Sequence, residues 1–181
     1  LAYRDMGYLP QALVNALARL GWSYGDQERF TLQELIEKFS LENVGKSAGI
    51  FNAEKLLDLN AWYLRECSAQ QLAPYLIPFL EKENFRHPDE KLVAGAVETL
   101  KARSKTLADM AKASRFYFED ALTFDQKAVE KFLKPEGLAL MTEIKSRLEE
   151  AKVFAKEDLE SVFALFLAEK KIKLGDIAQP L

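Results

Sequence analysis

The sequence predicts a mainly α-helical protein. Apolar residues recur at helical spacing along most of the chain, and no stretch alternates apolar and polar residues for long enough to indicate a sheet. Capping patterns and prolines mark the starts of several of these stretches. With 181 residues, 49% of them hydrophobic and 29% charged, the chain can bury a sizeable core and has an ordinary globular composition.

The first predicted helix begins at Pro10, because proline fits the first turn of a helix. Gly21 stands where a left-handed cap would end it. Between them, apolar residues recur three and four positions apart, which predicts one buried face. The residues of that face are Leu13, Ala16, Leu17 and Leu20.

Two hydroxyl residues carry the capping-box pattern, Thr31 with Glu34 and Ser68 with Gln71. Between these two starts, the amide of Asn52 is predicted to cap a helix that ends near residue 62. Phe30 and Leu35 form the hydrophobic staple of the Thr31 helix. The side chains expected to point inward from that helix are Leu35, Ile36 and Phe39.

The prolines Pro74 and Pro78 each remove a backbone donor. We therefore expect a broken or kinked helix through this stretch. The break in the pattern near Cys67 predicts a domain boundary, with one domain at residues 1–66 and a helical array at residues 67–181.

Five later positions delimit the helices of that array. Pro88 opens one, Thr106 starts a second, Asp125 caps a third, Pro135 opens a fourth, and Gly175 ends the last long helix. The helix that Pro88 opens is predicted to bury Leu92, Val93, Ala96, Val97 and Leu100. The Thr106 helix is predicted to bury Leu107, Met110 and Ala111. The last long helix is predicted to bury Leu159, Val162, Phe163 and Phe166.

The composition argues against several function classes. Cys67 is the only cysteine and His87 the only histidine, so an internal disulfide, a cysteine-rich zinc site and a Ser-His-Asp system are poorly supported. No apolar run reaches the roughly 20 residues that span a bilayer, and a cytoplasmic protein is expected. The chain begins at Leu1 rather than at methionine, which suggests a segment of a longer polypeptide.

The triplet Gly45-Lys46-Ser47 resembles the end of a phosphate-binding loop. The full pattern needs a glycine where this chain has Ser40, and a strand where it has a helix. A connecting loop is the better interpretation, and an ATP-handling enzyme stays an alternative hypothesis.

A basic cluster lies between residues 101 and 115, where five cations meet one acid, Asp109. The cations are Lys101, Arg103, Lys105, Lys112 and Arg115. Since the net charge of the chain is −3, nucleic-acid binding would need such local clustering. The side chain of Arg103 could reach an exposed base, but from charge alone these residues are more simply solubilising.

Two aromatic stretches are predicted to pack. Trp22 and Tyr24 should fix the Pro10 helix against the Thr31 helix, and at least two of Phe116, Tyr117 and Phe118 should be buried.

Several motifs together resemble bacterial-type glutamyl-tRNA synthetases, which are class I aminoacyl-tRNA synthetases. The resemblance is dense up to about residue 65 and looser beyond it. The matching stretches are Gly7-Tyr8-Leu9-Pro10, Leu17-Ala18-Arg19-Leu20-Gly21-Trp22, Lys46-Ser47, Phe51, Glu54-Lys55-Leu56, Leu59-Asn60, Lys105-Thr106-Leu107, Phe116-Tyr117, Asp120, Lys173-Leu174-Gly175 and Gln179-Pro180-Leu181. The signature motifs of that family's catalytic half, similar to His-Ile-Gly-His and Lys-Met-Ser-Lys, do not occur in the sequence.

The resemblance implies a stem-contact domain at residues 1–66 and the first part of a helical anticodon-binding cage at residues 67–181. It implies that Arg103 contacts an anticodon base. The residues it implies at the RNA backbone are Lys101, Lys105, Arg115, Lys46, Ser47 and Lys55.

The implied partner is tRNA(Glu), together with a catalytic domain and a second anticodon-binding subdomain. ATP and Mg²⁺ would serve that catalytic domain, with no cofactor, metal or catalytic residue in this chain, which is expected to be monomeric and inactive alone. A helical protein-interaction module without RNA binding is the alternative.

Overall fold

A computed structural model describes residues 2–46, 49–85, 88–119, 124, 126–151 and 153–178. Within these ranges the regular structure is helical, and β-pairing is limited to isolated bridges such as Trp22 with Val44. Predictions that concern Ser47, His87, Asp120, Asp125 and the stretch 179–181 lie outside the described residues.

The α-helices are α1 (Ala2–Asp5), α2 (Pro10–Ala18), α3 (Leu32–Lys38), α4 (Ala53–Glu66), α5 (Ala69–Lys82), α6 (Glu90–Leu100), α7 (Leu107–Ala113), α8 (Gln126–Phe132), α9 (Pro135–Glu149), α10 (Lys156–Lys170) and α11 (Leu174–Ala178). Short 3₁₀ turns cover Leu41–Asn43 and Arg115–Tyr117.

Two compact units divide the chain, residues 1–120 and residues 121–181. The main hydrophobic core belongs to the first unit and includes side chains on both sides of Cys67, such as Leu64 and Leu72. The compact units therefore do not coincide with the division between residues 66 and 67, which stays a prediction about function.

The capping predictions are confirmed. The Thr31 hydroxyl accepts from the Glu34 amide while the Glu34 carboxylate accepts from the Thr31 amide, and Ser68 and Gln71 make the same reciprocal pair. The side-chain oxygen of Asn52 accepts from two amides of the first turn of α4, which ends at Glu66, four residues beyond the predicted end.

The sequence predicted a broken or kinked helix at Pro74 and Pro78. The break is wrong, because α5 is continuous through both prolines. The two prolines are four residues apart and share an exposed face of the helix. Water can therefore bond the carbonyl groups that lose their donors. The buried face of α5 is unaffected and packs into the main core.

Some residues that were predicted to face the core are exposed instead. The side chains of Leu17 and Ile36 are 52% and 68% exposed, and Leu92 is also exposed. Phe39 is partly exposed and lies against Trp22, with 5.6 Å between ring centroids. The remaining predicted residues of α6 and all three of α7 are buried.

Three predicted helix ends differ. Gly21 does not adopt a left-handed conformation, and α2 ends at Ala18. At the start of α6 the cap is Asp89, one residue beyond Pro88. The left-handed residue that ends α10 is Lys171, so Gly175 lies instead inside α11.

The bend before α3 packs around Trp22, which is 2% exposed and contacts Phe30. Tyr24 stacks on Trp22 but is itself exposed. The prediction that two of the three residues 116–118 are buried is wrong: Phe116 is 52% exposed, and the other two are half-buried against the core.

A buried polar network joins α2, α4 and the segment before α3. Asn15 is fully buried; its amide nitrogen donates to the Glu28 carbonyl and its oxygen accepts from the Phe30 amide. The Tyr63 hydroxyl donates to the Phe30 carbonyl. Burial raises the pKa of Tyr63 to about 12, so this hydroxyl stays a donor at neutral pH.

The second unit has its own small core of Ile144, Phe166 and Ile177, contributed by α9, α10 and α11. Arg147 extends over the Phe166 ring, 5.0 Å from its centroid, and donates to Glu169 at 2.7 Å.

Candidate nucleic-acid interface

The loop between α6 and α7 is fixed by its own buried hydroxyl groups. The Ser104 hydroxyl donates to the Leu100 carbonyl at 2.9 Å, and the Thr106 hydroxyl caps α7 by accepting from the Asp109 amide. Both hydroxyl residues are buried. Arg103 and Lys105, the residues on either side of Ser104, are both exposed.

Two contacts attach the loop to the rest of the unit. The amide nitrogen of Asn60, a fully buried residue of α4, donates to the Lys105 carbonyl at 2.6 Å. The Leu107 amide donates to the Gly7 carbonyl at 2.9 Å. The loop therefore has a defined backbone, which is a requirement for specific recognition by a side chain that it carries.

The Arg103 side chain makes no hydrogen bond or ion pair with any described residue. It lies at a cleft of about 260 Å³ together with side chains from α4 and from the segment before α3. The lining residues are Arg29, Asp58, Ala61, Arg65, Ala102, Arg103, Ser104 and Lys105. Four cationic side chains therefore share this cleft with one carboxylate.

Arg29 and Arg65 were not predicted from the sequence as residues of the site. Arg65 lies in the last turn of α4, where Asp58, Ala61 and Arg65 share one helical face. That spacing was visible, but it gave no indication that this face meets the loop carrying Arg103.

The other predicted cations of the loop have acidic partners. Lys105 lies 3.0 Å from Asp58, in an ion pair with both side chains more than half exposed. Lys101 lies 3.1 Å from Glu98, donates to the Cys67 carbonyl, and its side chain is only 19% exposed. Because the Lys101 side chain is mostly buried and already paired, the exposed cationic side chains of the loop are those of Arg103 and Lys105.

Arg115 belongs to the 3₁₀ turn that follows α7. Its guanidinium donates two hydrogen bonds to Glu119, at 2.9 and 2.8 Å. It is absent from the lining of the cleft that contains Arg103.

The second predicted group, Lys46, Ser47 and Lys55, is only partly described. Lys46 is exposed, and Lys55 pairs with Glu28 at 3.5 Å in an adjoining groove. Arg29 and Asp58 line both this groove and the cleft at Arg103. The two concave surfaces therefore adjoin at these residues.

The described part of the Gly45-Lys46-Ser47 stretch lacks the form of a phosphate-binding loop. The Gly45 amide donates to the Gly21 carbonyl at 2.6 Å and is thus already used within the protein. The next α-helix, α4, begins only at Ala53. A phosphate-binding loop would lead directly into a helix whose first amides face the phosphate.

No group of three or more His, Cys, Asp or Glu side chains that could hold a metal ion occurs in the described ranges. None of the helices described is long and apolar enough to cross a membrane. Burial raises the pKa of the Cys67 thiol, so this cysteine is not an activated thiolate.

The described part of the chain is an all-α-helical module with an exposed basic loop, and comparison with known families assigns it. The chain belongs to the anticodon binding domain family, whose model matches residues 69–181. A second model, the catalytic domain of class I tRNA synthetases (E and Q), matches residues 1–58.

Relatives of this chain include bacterial glutamate–tRNA ligases. The ligase of Syntrophobacter fumaroxidans is 50% identical over 181 residues, which cover 100% of this chain and 39% of that protein. The ligase of Geobacter sulfurreducens is 45% identical over 177 residues, covering 98% of this chain and 38% of that protein. The resemblance predicted from the sequence is thus confirmed, and the chain spans about two fifths of the length of these relatives.

Solved structures give the same result. The crystal structure of a glutamate tRNA ligase from Elizabethkingia meningosepticum in complex with its amino acid superposes with a TM-score of 0.81 at 30% identity. The match covers 98% of this chain and 35% of that one. The mainly α-helical fold class is confirmed.

Proposed function

We propose that this chain is a tRNA-binding part of a glutamate–tRNA ligase and that its partner is tRNA(Glu). The observation that carries the proposal is the exposed Arg103 guanidinium, which has no partner among the described residues and stands on a fixed loop inside the stretch matched by the anticodon-binding family. A planar fork of donors in that position suits an unstacked base of an RNA loop.

The two parts of the chain have different proposed contacts. Residues 1–66 contact the tRNA stem, and residues 67–181 contact the anticodon. The two family matches, at residues 1–58 and 69–181, support a division between them. The match at residues 1–58 is to the catalytic-domain model, so the stem contact of residues 1–66 rests on the sequence resemblance.

Individual roles follow from exposure and pairing. Arg103 contacts an anticodon base, and Lys105 holds a backbone phosphate. Lys105 can do so while paired, because an ammonium has three donors and Asp58 takes one. The other proposed backbone contacts are Lys101, Arg115, Lys46, Ser47 and Lys55. Lys101 and Arg115 would have to exchange an existing carboxylate contact for RNA, and we expect their contribution to be smaller.

The proposed reaction of the whole enzyme joins glutamate to tRNA(Glu) with ATP. ATP and Mg²⁺ belong to its catalytic domain, and none of the residues described here is assigned to them. On this proposal the enzyme is a cytoplasmic monomer, and this chain contributes by holding the tRNA rather than by chemistry.

Filter binding of labelled tRNA(Glu) to the 181-residue chain across a salt series tests the proposal. Contacts with phosphates release counterions, so log K should fall linearly with log salt, by roughly 0.7 to 0.9 per contact. A chain that binds no tRNA at low salt, or binds it without salt dependence, would instead support the protein-interaction alternative. Absence of glutamyl-tRNA formation by the chain alone is the expected companion result.

A further inference from the structure

Three arginines have side chains without a hydrogen bond or ion pair to any described residue, and all three line the same cleft. They are Arg29, Arg65 and Arg103. The other described arginines, by contrast, donate to a carboxylate or to a carbonyl group: Arg4, Arg19, Arg115 and Arg147. We propose that Arg29 and Arg65, together with Lys105, form a binding site for the phosphodiester backbone of RNA beside the base contact of Arg103.

Arg29 and Arg65 each have a local contact that explains the position of that side chain alone. The Arg29 guanidinium lies over the Trp62 ring at 5.8 Å, a cation–π contact, and Arg65 lies near the negative end of α4. Neither cause requires both side chains to face Arg103.

Convergence of these charges is unfavourable without a ligand. The cations come from three separate stretches of a chain whose net charge is −3, and only the carboxylate of Asp58 lines the cleft with them. Like charges brought together repel one another. An anion that binds in the cleft would relieve this repulsion, and guanidinium groups match the geometry of phosphate oxygens.

The shape of the basic surface favours a chain of phosphates over a single anion. The cleft shares Arg29 and Asp58 with the adjoining groove that contains Lys55. The axis of α4 rises about 15 Å between Lys55 and Arg65. That length corresponds to several nucleotides of a strand.

This inference rests on the proposed function, and its test separates the two. The double substitution R29Q/R65Q in the 181-residue chain should weaken binding of tRNA(Glu) and reduce the magnitude of the slope of log K against log salt by about 1.4 to 1.8, that is, by 0.7 to 0.9 for each of two phosphate contacts. The loss should be equal for tRNAs with different anticodons, because backbone contacts carry no sequence information.

The matched control is R4Q/K156Q, which removes the same charge from exposed ion pairs of residues that do not line the cleft. It should leave the slope unchanged. R29K/R65K should restore the slope, because lysine keeps the charge, and thermal unfolding of each variant checks that the chain is folded.

The binding results distinguish a failure of this inference from a failure of the proposed function. If the wild-type chain binds tRNA but R29Q/R65Q lowers the slope no more than the control, the inference is wrong and the proposed function stands. If the wild-type chain does not bind tRNA, both are wrong.

Discussion

The side-chain amide of Asn60 joins the start of α2 to the loop that carries Arg103. Its oxygen accepts from the Leu9 amide at 2.8 Å, while its nitrogen donates to the Lys105 carbonyl at 2.6 Å. Asn60 is fully buried, so both main-chain groups depend on it for a partner. This residue is thus a positioning residue for the basic loop.

The substitution N60D should destabilise the protein by about 3 kcal/mol. It replaces the donor to Lys105 by an oxygen that repels the Lys105 carbonyl, and it buries a charge. Urea unfolding at neutral pH measures the change. N43D, at an exposed position of the Leu41–Asn43 turn, should change the unfolding free energy by less than about 0.5 kcal/mol. Equal effects of the two substitutions would contradict the positioning role.

Gly7 should tolerate no side chain. Its φ is +88°, and an added Cβ would lie 2.5 Å from the Ala108 nitrogen and 2.9 Å from the Leu107 nitrogen. These are backbone atoms that no rotamer change can move, so G7A should cost more than about 2 kcal/mol.

Gly95 provides the opposite case for comparison. It is exposed in α6, with open space where a Cβ would be added. G95A should stabilise the protein by about 0.5–1 kcal/mol, because glycine is a poor helix former. Thermal unfolding of both variants gives the comparison, and a neutral G7A would show that the contact between residue 7 and α7 is loose.

Glu34 should make stability depend on acid. Hydrogen bonds, first from the Thr31 amide and then from Gln27 and Lys38, lower the pKa of Glu34 from 4.5 to about 2. The ionised carboxylate therefore stabilises the fold fully above about pH 4.5, and this contribution is lost as pH falls through 2.

Urea unfolding between pH 6 and pH 2 should show a weaker pH dependence for E34Q than for the wild type. E37Q removes the same charge from an exposed position of the same helix, away from the cap. A pH profile flattened as much by E37Q as by E34Q would mean that the capping box is not the origin.

The sequence predicted the features that depend on neighbouring residues. The capping boxes at Thr31 and Ser68 are local hydrogen-bond patterns, and they form as expected. The inward face of α6 was also correct except at Leu92, since its apolar residues follow one helical stripe.

The incorrect predictions concern tertiary contacts and solvent exposure, which local sequence patterns do not determine. Periodicity placed Leu17 and Ile36 on apolar stripes, but which part of a stripe is covered depends on the neighbouring helices. The rule against proline inside helices failed at Pro74 because that side of α5 faces water. Arg29 and Arg65 were missed because only tertiary packing brings them to Arg103.

The central claim is that Arg103 contacts an anticodon base, and binding of R103Q to a set of tRNA(Glu) anticodon variants tests it most directly. The side chain is exposed and has no partner among the described residues, so R103Q should fold with a nearly unchanged unfolding free energy. R4Q serves as the charge-matched control.

We predict that R103Q loses roughly 1–3 kcal/mol of discrimination at one anticodon position, while R4Q keeps the wild-type pattern. A loss of equal size for every anticodon variant would contradict the base contact and make Arg103 one more ligand of the RNA backbone.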